Sequence, residues 1–227
     1  MTRRIAALAA VAAFAVGCAA PADPNTEAAP AEAAASTLAL PAEAPAPADQ
    51  AAAPAATLAE LGDRPVIVME TERGTIEFEL FADGAPASVG QIVTLIGRNF
   101  YNGQRVHRVD DGSLIQFGDP QSRDMRRSAL WGTQSSGQPI GVAEIIQGRS
   151  HVVGAVALAH PGDPRQADSQ LYITMVPRPE LDGGYAVIGQ VTSGMDVVAQ
   201  IEQGDRIDSI TVAGQESSLP AFQGLGQ

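Results

Sequence analysis

The sequence of 227 residues contains one cysteine, Cys18, and no lysine. A single thiol excludes an internal disulfide. All fourteen basic residues are arginine, and twenty-six acidic residues outnumber them, for a formal net charge of −12. No basic stripe is present, which argues against nucleic acid as a partner. His107, His151 and His160 are the only histidines, and they are too scattered to make a metal set, with no cysteine to join them. No metal and no cofactor is expected. A hydrolase triad from Ser169, Asp168 and His160 is also discounted. Neighbours on a strand point to opposite faces, and no nucleophile-elbow motif is present.

The apolar run Ile5 to Val16 is too short to span a bilayer, which takes roughly 20 residues. Behind Arg3–Arg4 it reads as a targeting segment, residues 1–18. It ends at Ala15–Val16–Gly17–Cys18, which resembles a bacterial lipobox in which Cys18 is acylated; Ala15 departs from the usual Leu. Ordinary secretion with cleavage near Ala20 is the alternative. Two or three acyl chains would anchor stably where one binds only marginally. The expectation is a lipoprotein of the bacterial cell envelope, facing the periplasm and held to a membrane through Cys18. Residues 19–63 are mostly Ala and Pro with scattered acids and no 3.6 or 2.0 period, the composition of a solvated tether. Residues 64–214 are long enough for one domain with a real core, and 215–227 read as a loose tail.

Within the domain, Val66–Met69 opens a strand. Thr75–Phe81 then alternates polar and apolar, with Ile76, Phe78 and Leu80 inward. Pro86 suits a first helical turn, and Val89, Ile92, Val93 and Ile96 recur at helical spacing as a core stripe. Val106–Arg108 and the strand carrying Gln116 flank Asp110–Asp111–Gly112, a turn signal. Paired as a hairpin, they set Arg108, Gln116 and Leu114 on one face. Residues 120–141 have no period. They carry Arg123, Arg126, Arg127 and Trp131, and make either a lid or a surface excursion. Val142–Ile146 is a candidate strand carrying Glu144. His151–Ala159, Ser169–Met175, Tyr185–Val191 and Ile207–Val212 read as further strands. Ser193 can cap a second helix striped by Met195, Val198 and Ile201. The expected fold is mainly β, a closed eight-stranded antiparallel barrel capped by two α-helices, with a split sandwich as the alternative.

From about Val66 to Val212 the chain resembles the cyclophilin-type peptidyl-prolyl cis–trans isomerases. The resemblance rests on motifs in the right order. They are Phe78–Phe81, Ala85–Pro86, Val106–His107–Arg108, Gln116–Phe117–Gly118–Asp119, Ala157–Leu158–Ala159, Ser169–Ile173, Leu181–Asp182–Gly183 and Val187–Val191. It implies a proline-peptide groove outside a barrel. The family's catalytic Arg falls on Arg108 and its groove Gln on Gln116, which would position Arg108 or hold the peptide backbone, and Gln170 joins the substrate-binding residues. Its proline pocket falls on Leu114, Tyr172 and Leu181, its substrate-backbone contacts on Ala159 and His160, and its pocket-edge His on Tyr185. Ser113 stands where the family has a Phe against the proline ring, Glu180 where some members have Trp, and His160 where it has Asn. Tyr172 adds a hydroxyl that needs a partner.

The chemistry fits those groups. Turning an X-Pro bond breaks amide resonance against a barrier of about 18–20 kcal/mol. In the twisted state the prolyl nitrogen gains a lone pair, and a donor aimed there acts only in that state. The implied function is isomerisation of X-Pro bonds in cell-envelope proteins by a single chain, as an aid to folding. The implied partners are proline-containing polypeptides. A non-catalytic proline-peptide binding module is the alternative that Ser113 supports.

Overall fold

The computed structural model describes residues 61–110 and 112–214. The expected targeting segment, Cys18, the tether up to residue 60 and the tail lie outside the described residues.

Two strands, β1 (Val66–Thr71) and β2 (Gly74–Leu80), form an antiparallel hairpin. Ile67, Met69, Ile76, Phe78 and Leu80 are fully buried, so the period-2 alternation sets which face enters the core. Helix α1 (Pro86–Gly97) starts on its proline and buries Val89, Ile92, Val93 and Ile96. Its N-cap, Ala85, has no side chain to cap with. The Glu144 carboxylate does that work from far along the chain, accepting from Ala87 N (3.1 Å) and Ser88 N (2.7 Å). A negative group belongs at that end of the helix dipole. Residues 142–146 are therefore an irregular capping loop and not the expected strand. Val142 and Ile146 are exposed, so no buried face rewards a ladder there.

The remaining strands are β3 (Arg108–Asp110), β4 (Leu114–Phe117), β5 (Ala155–Leu158), β6 (Leu171–Thr174), β7 (Val187–Ser193) and β8 (Ile207–Val212). They join one antiparallel sheet in the order β3-β4-β6-β5-β7-β2-β1-β8. The sheet curls until its edges approach. Just ahead of β3 and β8 the chain is bridged at Arg105 and Arg206, with Val106 N on Asp205 O (2.9 Å) and Ile207 N on Gln104 O (2.8 Å). The edge strands themselves share no ladder, so the expected closure is not carried by strand pairing.

The second helix, α2 (Met195–Val198), is a single turn. Ser193 does not cap it: Ser193 still pairs with Glu77 in the β7–β2 ladder, and Gly194 takes the cap position at φ 85°. A side chain at Gly194 would run into the Thr75 carbonyl. The expected strand from His151 shortens to β5 because Gly154 turns the chain at φ 78° just before it.

Strand β5 is buried on both faces. Val156 and Leu158 enter the main core. Ala155 and Ala157 join Leu114, Tyr172 and Val187 in a second, smaller apolar cluster on the sheet's other face. That outer cluster is the floor of the site.

Candidate active site

The β3–β4 hairpin sets Arg108 directly across from Gln116. Arg108 Nη1 donates to Gln116 Oε1 at 3.3 Å, and Arg108 Nη2 to Asp110 Oδ2 at 2.6 Å. The Arg108 side chain stays 54 % exposed, leaving donors for a ligand. With its oxygen occupied, Gln116 turns its amide nitrogen to Gln170 Oε1, 2.8 Å away. Gln170 Nε2 in turn donates to the carbonyls of Gly132 (3.0 Å) and Gln134 (2.7 Å). A guanidinium and two amides thus form one polar relay, anchored at one end by a carboxylate and at the other by a loop.

Beside the relay lies the apolar floor, with Leu114 and Tyr172 buried and Ala159, Leu181 and Tyr185 packed partly buried against them. The Tyr172 hydroxyl has its partner below the floor. His151 Nε2 is 2.8 Å away, and Asp182 Oδ1 takes both His151 Nδ1 (2.6 Å) and His151 N (2.8 Å). Burial pushes the Tyr172 phenol well above its ordinary range. The hydrogen bond from His151 holds Asp182 below the usual carboxylate value. At the pocket edge the Tyr185 ring meets Tyr172 edge-on at 5.9 Å and stacks on His160 at 4.4 Å. His160 Nδ1 accepts from Gly162 N, so Nε2 faces the Gly184 carbonyl at 3.0 Å as donor. Residues 160 and 185 therefore form one stacked pair at the pocket edge.

Ser113 stands at the rim. Its hydroxyl accepts from Arg178 Nη1, while Arg178 Nε donates to Glu180. A polar strap crosses the rim there instead of an apolar ring.

A cavity of about 470 Å³ opens beside Gln116 and Gln170, lined also by Gly132–Ser135, Ala159 and His160. The long 120–141 segment forms its wall and is tied down at several points. Asp168 accepts from Ser135 Oγ (2.8 Å), Ser136 Oγ and Gln138 N (2.9 Å). Asp119 Oδ1 and Oδ2 accept from Gln121 N (2.7 Å) and Gln134 N (3.2 Å). A side chain at Gly118, φ 105°, would collide with the Ser169 carbonyl, so only glycine lets this wall close on β6. The 120–141 segment is a largely exposed surface excursion, and its residues 132–135 wall the cavity. Trp131 donates to Asp124 O within the same segment (3.3 Å), and Arg126 pairs with Asp124. His107 is buried beside Gly132 with both ring nitrogens unpartnered.

The family model described as "Cyclophilin type peptidyl-prolyl cis-trans isomerase/CLD" matches residues 66–216. The chain belongs to the cyclophilin-type peptidyl-prolyl cis–trans isomerases. A probable peptidyl-prolyl cis-trans isomerase of Brucella suis is 34 % identical over 158 residues, 68 % of this chain and 80 % of that protein. The peptidyl-prolyl cis-trans isomerase of Helicobacter pylori is 35 % identical over 153 residues, 66 % of this chain and 88 % of that one. A Cryptosporidium parvum cyclophilin, solved in the presence of the dipeptide Ala-Pro, superposes with a TM-score of 0.58 at 21 % identity, covering 66 % of this chain and 99 % of that chain.

In this isomerase the residues read from the sequence fall into two touching groups. Arg108, Gln116 and Gln170 make the relay, and Leu114, Tyr172, Leu181, Ala159 and Tyr185 make the floor. His160 borders both and Ser113 sits on the rim. Sequence reading missed the supports: Asp110 under Arg108, Arg178 over Ser113, and His151 with Asp182 under Tyr172. Only the hydroxyl at 172 signalled that a buried partner had to exist.

Proposed function

We propose that this isomerase turns X-Pro bonds in extended segments of cell-envelope proteins, with Arg108 as its electrostatic catalyst. The observation that carries the reading is a half-exposed guanidinium held by Gln116 and Asp110 next to an apolar floor. The floor takes the proline ring. Leu114, Tyr172 and Leu181 grip it while the preceding carbonyl swings. Ala159 and His160 hold the peptide backbone alongside, with Ser113 and Tyr185 at the two edges. Arg108 donates to the prolyl nitrogen as it pyramidalises, an interaction present only in the twisted state. Arg suits this role because its fork is rigid and always charged. Gln116 and Gln170 set its direction. No nucleophile or proton transfer is needed.

The Arg105–Arg206 bridge supports completion of the curled sheet into a closed barrel. Cys18 as a lipid anchor, with the Ala/Pro-rich segment as spacer, would hold a single copy of the domain at a bacterial envelope membrane, facing the periplasm. The Ser113–Arg178 strap favours a second reading, a proline-peptide holder without turnover.

Exchange NMR of a short Ala-Pro peptide with the full chain in detergent micelles tests the two. Accelerated exchange that Arg108→Ala reduces about 100-fold to 1,000-fold, the loss typical of one removed transition-state donor, supports the isomerase mechanism. Peptide binding without acceleration by the folded chain favours the holder.

A further inference from the structure

The loop between β6 and β7 carries Leu181 of the apolar floor and Arg178 of the rim strap. From 176 to 184 none of its residues is buried, and only Leu181 packs against an apolar cluster. Apolar burial therefore does little to fix its place. The loop is stiffened within itself by a single 3-10 turn, Pro179–Leu181. Leu181 N donates to Arg178 O (3.0 Å) and Asp182 N to Pro179 O (3.1 Å), so residues 178–182 move as a unit.

That unit's ties to the sheet converge on His151, which is only 1 % exposed. His151 meets the unit at both ends. Its carbonyl accepts from Arg178 N (2.7 Å), and Asp182 Oδ1 accepts from His151 N (2.8 Å) and Nδ1 (2.6 Å). A neutral imidazole that donates from Nδ1 has Nε2 left as an acceptor. The Tyr172 hydroxyl donates to it across 2.8 Å. One buried side chain thus spans the underside of the pocket. On one side it holds Tyr172 on β6, and on the other the turn that presents Leu181.

We propose that His151 and Asp182 are positioning residues for the proline pocket: they clamp the Leu181 turn against Tyr172 and set the pocket's width before a peptide arrives. The inference rests on the reading of that floor as the proline-ring site. A pocket already held in shape spares a ligand the cost of ordering it. With the clamp lost, each binding event must first collect a loose Leu181 turn. The ring is gripped alike in the ground and the twisted state, so the loss falls on KM and not on kcat. The Arg108–Gln116–Gln170 relay shares none of the clamp's hydrogen bonds and keeps its geometry.

The experiment is exchange NMR of a free Ala-Pro peptide with the full chain in detergent micelles, comparing Asp182→Ala, Asp182→Asn and Glu144→Ala. Asn keeps an oxygen that accepts from His151, and Ala keeps none. Asp182→Ala should raise KM about tenfold, the loss of a hydrogen bond to a charged group, with kcat within about twofold of the parent. Asp182→Asn should restore KM. Glu144→Ala uncaps α1 instead and should leave KM unchanged. An unchanged KM in Asp182→Ala overturns the inference and leaves the isomerase mechanism standing. An equal rise in Asp182→Asn or in Glu144→Ala does the same. If the parent chain binds the peptide without turning it over, the isomerase mechanism falls, and the peptide Kd replaces KM in the same comparison with the same outcomes. Amide hydrogen exchange reads the clamp in the unaltered chain. The Arg178 and His151 amide protons should be protected before peptide is added. Free exchange at both overturns the inference even where Asp182→Ala does not fold.

Discussion

His151 Nε2 lies 2.8 Å from Tyr172 Oη, in rings stacked 7° from parallel, with Asp182 on the other ring nitrogen. The hydroxyl that Tyr172 brings under the floor is thereby satisfied. Tyr172→Phe keeps the apolar floor but strands His151 Nε2 in a buried site. It should cost about 1–3 kcal/mol of stability by urea denaturation, while KM for an Ala-Pro peptide changes less than twofold. A large KM change without a stability loss would show that the hydroxyl contacts the peptide instead.

The Ser113–Arg178 strap occupies the rim where an aromatic ring would close on the proline. Ser113→Phe restores that surface and releases Arg178 to solvent and Glu180. Burying the added ring against a bound proline is worth about 1–2 kcal/mol. KM should fall by roughly ten-fold, with kcat little changed because the ring binds ground and transition states alike. Unchanged KM would mean that the strap does not limit binding.

Gln170 joins the β3–β4 hairpin to the cavity wall. In Gln170→Glu the carboxylate faces the Gly132 and Gln134 carbonyls, and both wall bonds are lost. Gln116 still donates to residue 170, but the far end of the relay is free to move. The expected readout is a drop in kcat of about ten-fold, or 1.4 kcal/mol, with KM nearly constant, and rescue by Gln170→Asn too weak to reach both carbonyls. A fall in KM and kcat together would instead place Gln170 in ground-state strain.

Burial lowers the pKa of His107 from its ordinary value; the Asp119 charge opposes that and Arg108 adds to it. A histidine whose folded pKa is depressed stabilises the fold above its unfolded value, about 6.5. That stability is lost as pH falls from there towards the folded value, because the unfolded chain takes up the proton first. Denaturation midpoints should decline below about pH 6.5, and His107→Phe should flatten that limb. A limb unaltered by the substitution would assign the acid sensitivity to carboxylates.

Much of the architecture is written locally. The alternation from Thr75 to Leu80 sets the buried face of β2, and Pro86 with the stripe at Val89, Ile92, Val93 and Ile96 sets α1. Asp110 and Gly112 around the turn set the hairpin that pairs Arg108 with Gln116. These follow from side-chain periods and turn chemistry, which depend on neighbours a few residues away. The order of the family's motifs supplied the rest of the groove. The tertiary structure alone decided what lies far apart in sequence. Glu144 caps a helix 56 residues before it, Arg178 straps Ser113 across 65, and Gln170 reaches a wall 36 to 38 residues back. Val142–Ile146 lost its expected strand for the same reason, since a ladder needs a partner and a buried face, and neither is encoded within five residues. Local propensity fixes an element's kind. Which polar group satisfies which is settled only when the sheet curls and brings distant loops against one another.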